Sequence, residues 1–261
     1  MKHLGVIKSD TWISILNWIG TPAILIYIVA MLIEPWFVSD GNSWDYVQEV
    51  WDRWQTFNAA VIAFVSSLIA FNISRFNEHK QREREFVAAK ALLPQTLSEL
   101  TRYFKDSSIF LKDVWDQLAT NPNARPTVQI ALPALPETYQ SVISGCIKHA
   151  EPDVGQYLAE VLKDLQIHNA RLSDMHVNLS YPHATMLVIP HNVMSYLYSL
   201  GKLQAMVNRL FGFARNSEPF KDDALTYEDF RSAYSGTFGL WPEDIDDLVG
   251  FTQRAISRGS N

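Results

Sequence analysis

The sequence predicts a mainly α-helical membrane protein. We expect an N-terminal hairpin of two transmembrane helices, a second span that continues into a helical stalk, and an α-helical cytoplasmic bundle. Three observations predict this fold. Two uncharged runs lie within the first 74 residues, and each has about the twenty residues that cross a hydrocarbon core. A basic segment without proline or glycine follows the second run. Beyond residue 90, apolar residues recur at spacings of three and four, the period of an amphipathic helix.

Composition limits the function classes. The chain has 261 residues, 48% of them hydrophobic, and a net charge of −6. This length suits one or two modest domains. Nucleic acid is not expected as a partner, because the basic surplus that it requires is missing. Cys146 is the only cysteine, so it cannot form an internal disulfide, and we expect a reducing compartment for its segment.

The transmembrane hairpin is assigned to residues 1–74, with the first span at about 11–33, "TWISILNWIGTPAILIYIVAMLI". Asn17 and Pro22 are tolerable in a span, because neighbouring helices satisfy the groups that they disturb. A cleaved signal peptide is the alternative, since Lys2 and Lys8 give a basic start. We favour a span, because the apolar run is too long for a signal peptide and no A-x-A site follows it.

The second span is predicted at about 54–74, where a buried core helix is the alternative. Soluble helices rarely extend this far without a charge. Ala59, Ala63 and Ser67 stand four residues apart, and small residues at this spacing let another helix approach closely. The partner helix is either the first span or a second copy of the chain, which would form a homo-oligomer. No ionisable side chain lies mid-membrane, which argues against an ion pathway through a single hairpin.

The flanking charges predict the orientation. Segment 34–53 carries five acidic residues and one arginine, whereas five basic residues follow Ser74, namely Arg75, Lys80, Arg82, Arg84 and Lys90. Because Lys and Arg accumulate on the cytoplasmic side, we expect both termini in the cytoplasm and the loop between the spans outside. A second interpretation of the basic cluster is that it binds anionic lipid headgroups. In this orientation four tryptophans lie near the outer interface of the membrane, namely Trp36, Trp44, Trp51 and Trp54. The alternative interpretation of these tryptophans is a ligand-binding aromatic cage.

Residues 75–119 are predicted to form the helical stalk. We expect an unbroken helix to about Leu93 and a kink or restart at Pro94, which removes a backbone hydrogen bond. An a/d seam follows, with Ser107 as its weak member: Leu93, Leu97, Leu100, Phe104, Ser107, Leu111, Val114 and Leu118. The seam indicates antiparallel packing within one domain, and a parallel oligomeric coiled coil is the alternative.

A proline-rich linker at 120–136 precedes a helical domain at 137–261. Residues 128–132 alternate in polarity and could pair as a short strand with 184–190. The best-patterned helix follows, with gaps of four and three between Val154, Leu158, Val161, Leu165, His168, Leu172, Met175 and Leu179. Another helix begins after Pro190. Thr226 and Asp229 predict a capping box for a short helix, and a last helix is expected from Pro242 to Gly259.

His168 is the one candidate functional side chain. We expect its ring on the buried seam with Asp164, one turn earlier, as its hydrogen-bond partner. His176 lies about 80° away around the helix, which is poor geometry for a shared metal. No phosphate loop, nucleotide fingerprint, nucleophile elbow or paired-cysteine motif appears. The sequence therefore predicts no catalytic, cofactor-binding or metal-binding residue.

The segment "WDRWQTFNAAVIAFVSSLIAF", with the charged helix and "ALLPQTLSELTRYF" that follow it, resembles a recurrent kind of uncharacterised bacterial inner-membrane protein. Members have a small-residue-rich span that starts with W-Q-T and a helical cytoplasmic extension. The resemblance covers about residues 51–104 and implies a bacterial cytoplasmic membrane. In architecture, the layout also resembles membrane effectors of bacterial antiphage systems.

Three functions are compatible with these patterns. The first is a non-enzymatic module, anchored in the bilayer, that binds a cytoplasmic protein partner. The second is an oligomerising two-span effector, antiphage or toxin-like, whose cytoplasmic domain senses a signal. An enzyme with its site in the helical domain is the third, and it would need converging polar groups that sequence spacing does not show. We expect the first.

Overall fold

The computed structural model describes residues 9–38, 44–121, 125–127, 130–181 and 188–259. These residues are mainly helical and contain no β-strand, which confirms the predicted mainly α fold. Of the strand pairing proposed for 128–132 and 184–190, residues 128–129 and 184–187 lie outside the described residues. The chain divides into two compact units, residues 1–77 and 78–261.

The N-terminal unit begins with α1 (Ser9–Ile28), a π-helical turn (Val29–Ile33) and α2 (Glu34–Val38). Helix α3 (Trp44–Arg53) follows, and α4 begins at Gln55. By length and composition, two helical stretches of the described chain could cross a membrane, Trp18–Phe37 and Gln55–Thr120.

The first and fourth helices run antiparallel within this unit. The hydroxyl of Tyr27 donates a hydrogen bond of 2.6 Å to Asn58 Oδ1, and Gly20 lies against the side chain of Leu68. The partly buried positions of this part of α4 are 58, 61, 65 and 68, whereas the positions between them are exposed. One narrow stripe of α4 therefore contacts α1, and the rest of its apolar surface has no cover within the described residues.

Helix α4 is continuous from Gln55 to Thr120. This confirms the predicted unbroken helix to Leu93, but the restart at Pro94 is wrong. Pro94 cannot donate a backbone hydrogen bond, yet Leu93 and Leu97 on either side of it are fully buried. The hydroxyl of Ser98 also donates a hydrogen bond of 2.8 Å to the Pro94 carbonyl. Tertiary packing on both sides of the proline holds the helix through it.

The C-terminal unit is built on a bundle of four helices, the last part of α4 with α5 (Tyr139–His149), α6 (Pro152–Ser180) and α7 (Pro190–Ala214). Helix α4 runs antiparallel to α5 and α7 and parallel to α6, the up-down-up-down order of a simple bundle. Two contacts fix each direction. They are Glu85–His149 and Ala89–Gly145 for α5, Tyr103–Asn169 and Phe110–His176 for α6, and Lys90–Asn216 and Thr101–Gln204 for α7 and the residues just after it.

Both predicted seams are buried in one core. Every seam position of α4 from Leu93 to Leu118 and every seam position of α6 from Val154 to Leu179 is buried. Their apolar members belong to the same cluster as residues of α5 and α7. Antiparallel packing within one domain is thus confirmed. Helix α5 was not predicted, because only Val142, Ile143 and Cys146 mark its buried face.

The last part of the chain packs against α7. Helix α8 (Tyr227–Arg231) continues into a π-helical segment (Ser232–Phe238), which ends at Gly239 with a φ of 68°. A 3-10 turn (Pro242–Asp244) precedes α9 (Leu248–Gly259). The predicted start of the last helix at Pro242 is wrong, because Asp247 adopts a φ of 60°, a left-handed conformation that interrupts a right-handed helix.

Candidate functional site

A cleft of about 610 Å³ opens in the C-terminal unit between α6, α7, segment 222–225 and α9. The periodicity of α6 explains its wall. The residues that line the cleft from α6 include Tyr157, Glu160, Asp164 and Arg171, and each stands one position before a buried seam residue. The same repeat that buries the seam therefore places a polar stripe beside it. The cleft volume falls in the usual range for small-molecule sites.

Lys202 of α7 joins two carboxylates in this cleft. Its Nζ lies 2.9 Å from Glu160 Oε1 and 2.8 Å from Asp164 Oδ2. Burial alone would lower the pKa of Lys202, but the hydrogen bonds and charges of Asp164 and Glu160 outweigh burial and raise it. The amine is therefore held protonated between the two carboxylates, and the amine of Lys163 also lies 3.4 Å from Asp164 Oδ1.

His168 lies on the cleft wall and is 3% exposed, so its predicted burial is confirmed. The predicted hydrogen bond to Asp164 is wrong, because the Asp164 carboxylate pairs with Lys202. The Nε2 atom of His168 has no hydrogen-bond partner among the described residues. Burial, with a smaller effect from Arg171, lowers the pKa of His168 to about 4. The imidazole is therefore neutral at pH 7.

Aromatic side chains form the apolar part of the cleft. Tyr198 stacks on Phe230, with 5.2 Å between ring centroids and 11° between planes. Tyr157 donates its hydroxyl to the Met206 carbonyl at 3.2 Å, and burial raises the pKa of both tyrosines. The rings therefore stay uncharged and present flat surfaces beside the carboxylates.

Arg209 holds segment 222–225 against α7. Its guanidinium donates to the carbonyls of Asp223 and Ala224 and lies 2.8 Å from Asp229 Oδ2. The same carboxylate accepts the backbone N–H of Thr226 at 2.7 Å, which confirms the predicted acidic half of the capping box. Although burial acts to raise the pKa of Asp229, the bonds from Thr226 and Arg209 lower it overall. The rim of the cleft is thereby fixed in place.

Sequence reasoning found two members of this cleft, His168 and its expected partner Asp164. It singled out His168 but not Lys202, Asp222 or Tyr198, because the partners of α6 are distant in sequence. The one available signal was the polar stripe one position before the seam. Elsewhere, Cys146 is buried, and burial raises its pKa to about 11. Within the described ranges, no group of three or more His, Cys, Asp or Glu side chains could hold a metal ion.

The N-terminal unit carries a second set of notable side chains. Trp36, Trp44, Trp51 and Trp54 are between 41 and 54% exposed, and the rings of Trp36 and Trp44 lie 5.8 Å apart. The indole N–H of Trp51 donates a hydrogen bond of 3.1 Å to the carbonyl of Met31. Pro35, four residues after Met31, has no N–H to offer that carbonyl. Trp51 therefore supplies this carbonyl with a hydrogen bond from another helix.

Within the described residues, the small-residue face of α4 is not part of the stripe that meets α1. Ala59, Ala63 and Ser67 are all exposed, whereas the stripe that meets α1 contains Asn58 and Leu68. Two partners were considered for this face, the first span and a second copy of the chain. In the structure the first span does not cover Ala59, Ala63 and Ser67, which are exposed.

Comparison with known protein families, with curated proteins and with solved structures found no match to this chain.

Proposed function

We propose that this chain is a non-enzymatic interaction module anchored in the inner membrane of a bacterium. Helix α1 and the first part of α4 serve as the spans, and residues 78–261 form a cytoplasmic domain that binds a protein partner. The exposure of α4 carries the proposal. None of the side chains in its most apolar window is buried, and Phe57, Ile62, Phe64, Ile69 and Phe71 are between 46 and 65% exposed. A core helix would bury such side chains, and so large an apolar surface calls for a bilayer.

The direction of insertion rests on the flanking charges. Five acidic residues lie between the two spans and five basic residues follow Ser74, so the positive-inside rule puts both termini in the cytoplasm. The structure adds a reason to treat the basic residues as a flank rather than a lipid site. Arg82 donates to the carbonyls of His149 and Ala150, Lys90 donates to Asn216 and Lys80 donates to Glu83, so at least three of the five engage the protein itself.

A role in binding rather than catalysis is supported by the state of the reactive side chains. The amine of Lys202 is protonated between two carboxylates, and the thiol of Cys146 is buried with a pKa of about 11. Catalytic bases and nucleophiles work best with a pKa near the operating pH. With a pKa of about 4, His168 is a poor base at pH 7.

Membrane extraction tests the anchor. The chain should remain with membranes after an alkaline carbonate wash, a reporter after Asn261 should be active in the cytoplasm, and one near Gly41 should be active in the periplasm. Phe64→Asp, a charge in the middle of the second span, should move the protein out of the washed membrane fraction. Phe64→Leu is the matched control and should stay. A periplasmic signal from the C-terminal reporter would contradict the proposed topology.

A second function, an oligomerising two-span effector whose cytoplasmic domain senses a signal, is favoured by one observation. The face of Ala59, Ala63 and Ser67 is exposed in the structure and has the spacing at which helices pack closely. In a Cys146→Ala background, Ala63→Cys should form a disulfide between two copies when isolated membranes are treated with copper–phenanthroline as the oxidant, and Phe64→Cys should not. The effector function further requires that overexpression depolarise the membrane and that Ala63→Leu abolish this. A chain that oligomerises without depolarisation would be an anchored module only.

A further inference from the structure

The cleft described above has an unbalanced charge. Four carboxylates line it, those of Glu160, Asp164, Asp222 and Asp223, against the cations Arg171 and Lys202. Lys202 already pairs with Glu160 and Asp164, and Lys163 also pairs with Asp164, so the excess negative charge of the cleft lies on Asp222 and Asp223. Asp222 and Asp223 sit on the exposed rim, where an incoming cation would meet them first. The charges of the cleft therefore select for a positive ligand.

The inner part of the cleft suits the body of such a ligand. Tyr198, which is partly buried, provides a ring surface, and Ile167, which is exposed, provides an aliphatic one. Aromatic faces attract organic cations as well as apolar groups. A ligand with an amine or guanidinium attached to a small apolar body would use both parts of the wall.

A third observation is independent of charge and of shape. His168 is nine-tenths or more buried, lies on the cleft wall, and has an Nε2 atom without a partner among the described residues. Buried polar atoms nearly always have a hydrogen-bond partner, and each exception calls for an explanation. In the tautomer that carries its proton on Nδ1, Nε2 is an acceptor, and an ammonium or guanidinium N–H is a suitable donor.

We propose that the cleft between α6, α7, segment 222–225 and α9 binds a small organic cation, an amine or guanidinium compound with an apolar body. This goes beyond the anchoring and partner binding proposed above, and it does not depend on them. The ligand would place its cationic group among the carboxylates and its body against Tyr198 and Ile167. Arg209, which fixes segment 222–225, keeps the rim preformed.

Binding of matched probes to the full chain in nanodiscs tests the proposal. Tyramine and 3-(4-hydroxyphenyl)propionate share one body and differ in the sign of their charge. Saturable binding, measured by ligand-observed NMR against empty nanodiscs, is expected for tyramine and not for the propionate. Agmatine and benzamidine extend the cationic series. If none of the three cations binds saturably, or if the propionate binds more tightly than tyramine, the proposal is wrong.

Variants locate the binding. Asp222→Asn combined with Asp223→Asn should weaken tyramine about two- to fivefold, as expected for partly exposed charges. Ala224→Trp, which places an indole at the rim, should abolish binding. Asp116→Asn on α4 removes a carboxylate far along the sequence and should leave the affinity unchanged. Equal binding by all three variants would show that the cation sits elsewhere and would overturn the assignment to this cleft.

Discussion

At the scale of single residues, His168 has the most unusual environment among the described titratable groups. Its imidazole is buried and its pKa falls to about 4, whereas an unfolded histidine titrates near 6.5. The unfolded chain therefore takes up this proton at a higher pH than the folded chain does. As pH falls from about 6.5 to 4, the folded state loses stability relative to the unfolded state, by up to roughly 3 kcal/mol. Above pH 6.5 the penalty is absent.

We predict that His168→Leu removes this part of the pH dependence. The melting temperature of residues 78–261 in the wild-type chain should fall more steeply between pH 6.5 and 4 than that of the variant. At pH 7 the variant should be as stable or more stable, because it also removes an unpaired Nε2. His168→Asp should be destabilised at pH 7, since it buries a charge near Asp164. Unfolding followed by circular dichroism measures all three chains.

Met175→Leu is the control for this comparison, because it changes a buried seam residue of α6 without changing a titratable group. Its pH slope should equal that of the wild type. If His168→Leu keeps the full wild-type slope, burial of the neutral imidazole does not affect stability as argued. If His168→Leu instead abolishes a cellular phenotype while its stability is unchanged, the side chain has a functional role.

The error at His168 shows what a single helix cannot predict. Its burial followed from the seam, because spacing alone decides which face of α6 enters the core. Its partner did not follow, because Asp164 has a stronger partner in Lys202, 38 residues away. Local spacing identifies which side chains lie near each other on one helix, but it does not show which partners arrive from other helices.

At the scale of elements, the pattern predicted the long helices and the short α8, whose capping box marked it, but it missed α3 and α5. The seams of α4 and α6 were correct throughout, since each has many periodic apolar positions. Helix α5 was not predicted because its buried face is small and because the helix contains Gly145, which lies against Ala89 of α4. Pro94 did not restart α4, because the loss of one hydrogen bond is small beside the burial of Leu93 and Leu97.

The turn between α1 and α2 supports an element-scale prediction. Pro35 cannot donate to the Met31 carbonyl, and the indole of Trp51 does so from α3. We predict that Trp51→Phe lowers the stability of the N-terminal unit in micelles by about 1 kcal/mol, the usual worth of one hydrogen bond. Pro35→Ala restores a backbone N–H four residues after Met31. In that background Trp51→Phe should cost measurably less.

This double-mutant cycle separates the hydrogen bond from the packing of the ring. Helix unfolding in a denaturing detergent, followed by circular dichroism, gives the four stabilities. Trp44→Phe is the matched control, because it changes another exposed tryptophan of α3. Its cost should not depend on Pro35. Equal costs of Trp51→Phe in both backgrounds would mean that the indole does not compensate for the proline.

At the scale of the whole molecule, the two units differ in what they need in order to fold. The main hydrophobic core runs from Leu93 to Leu248 and lies entirely within residues 78–261. About 180 residues are enough for an independent core. The N-terminal unit has one apolar stripe between α1 and α4 and otherwise exposes its apolar side chains. We therefore expect only the second unit to be stable in water.

We predict that a fragment of residues 78–261 is soluble without detergent, mainly helical, and cooperative in thermal unfolding. The first turns of this fragment matter, because Arg82 donates to the carbonyls of His149 and Ala150, at 3.1 and 2.6 Å, where α5 ends. A cation there satisfies carbonyls that the helix leaves open. Arg82→Met in the fragment should therefore lower the melting temperature by several degrees, at about 2–4 °C for each kcal/mol. Arg84→Met, two residues along the exposed surface, should have little effect. Circular dichroism and gel filtration decide the outcome: an aggregated or non-cooperative fragment would mean that the bundle depends on residues 1–77 for its fold.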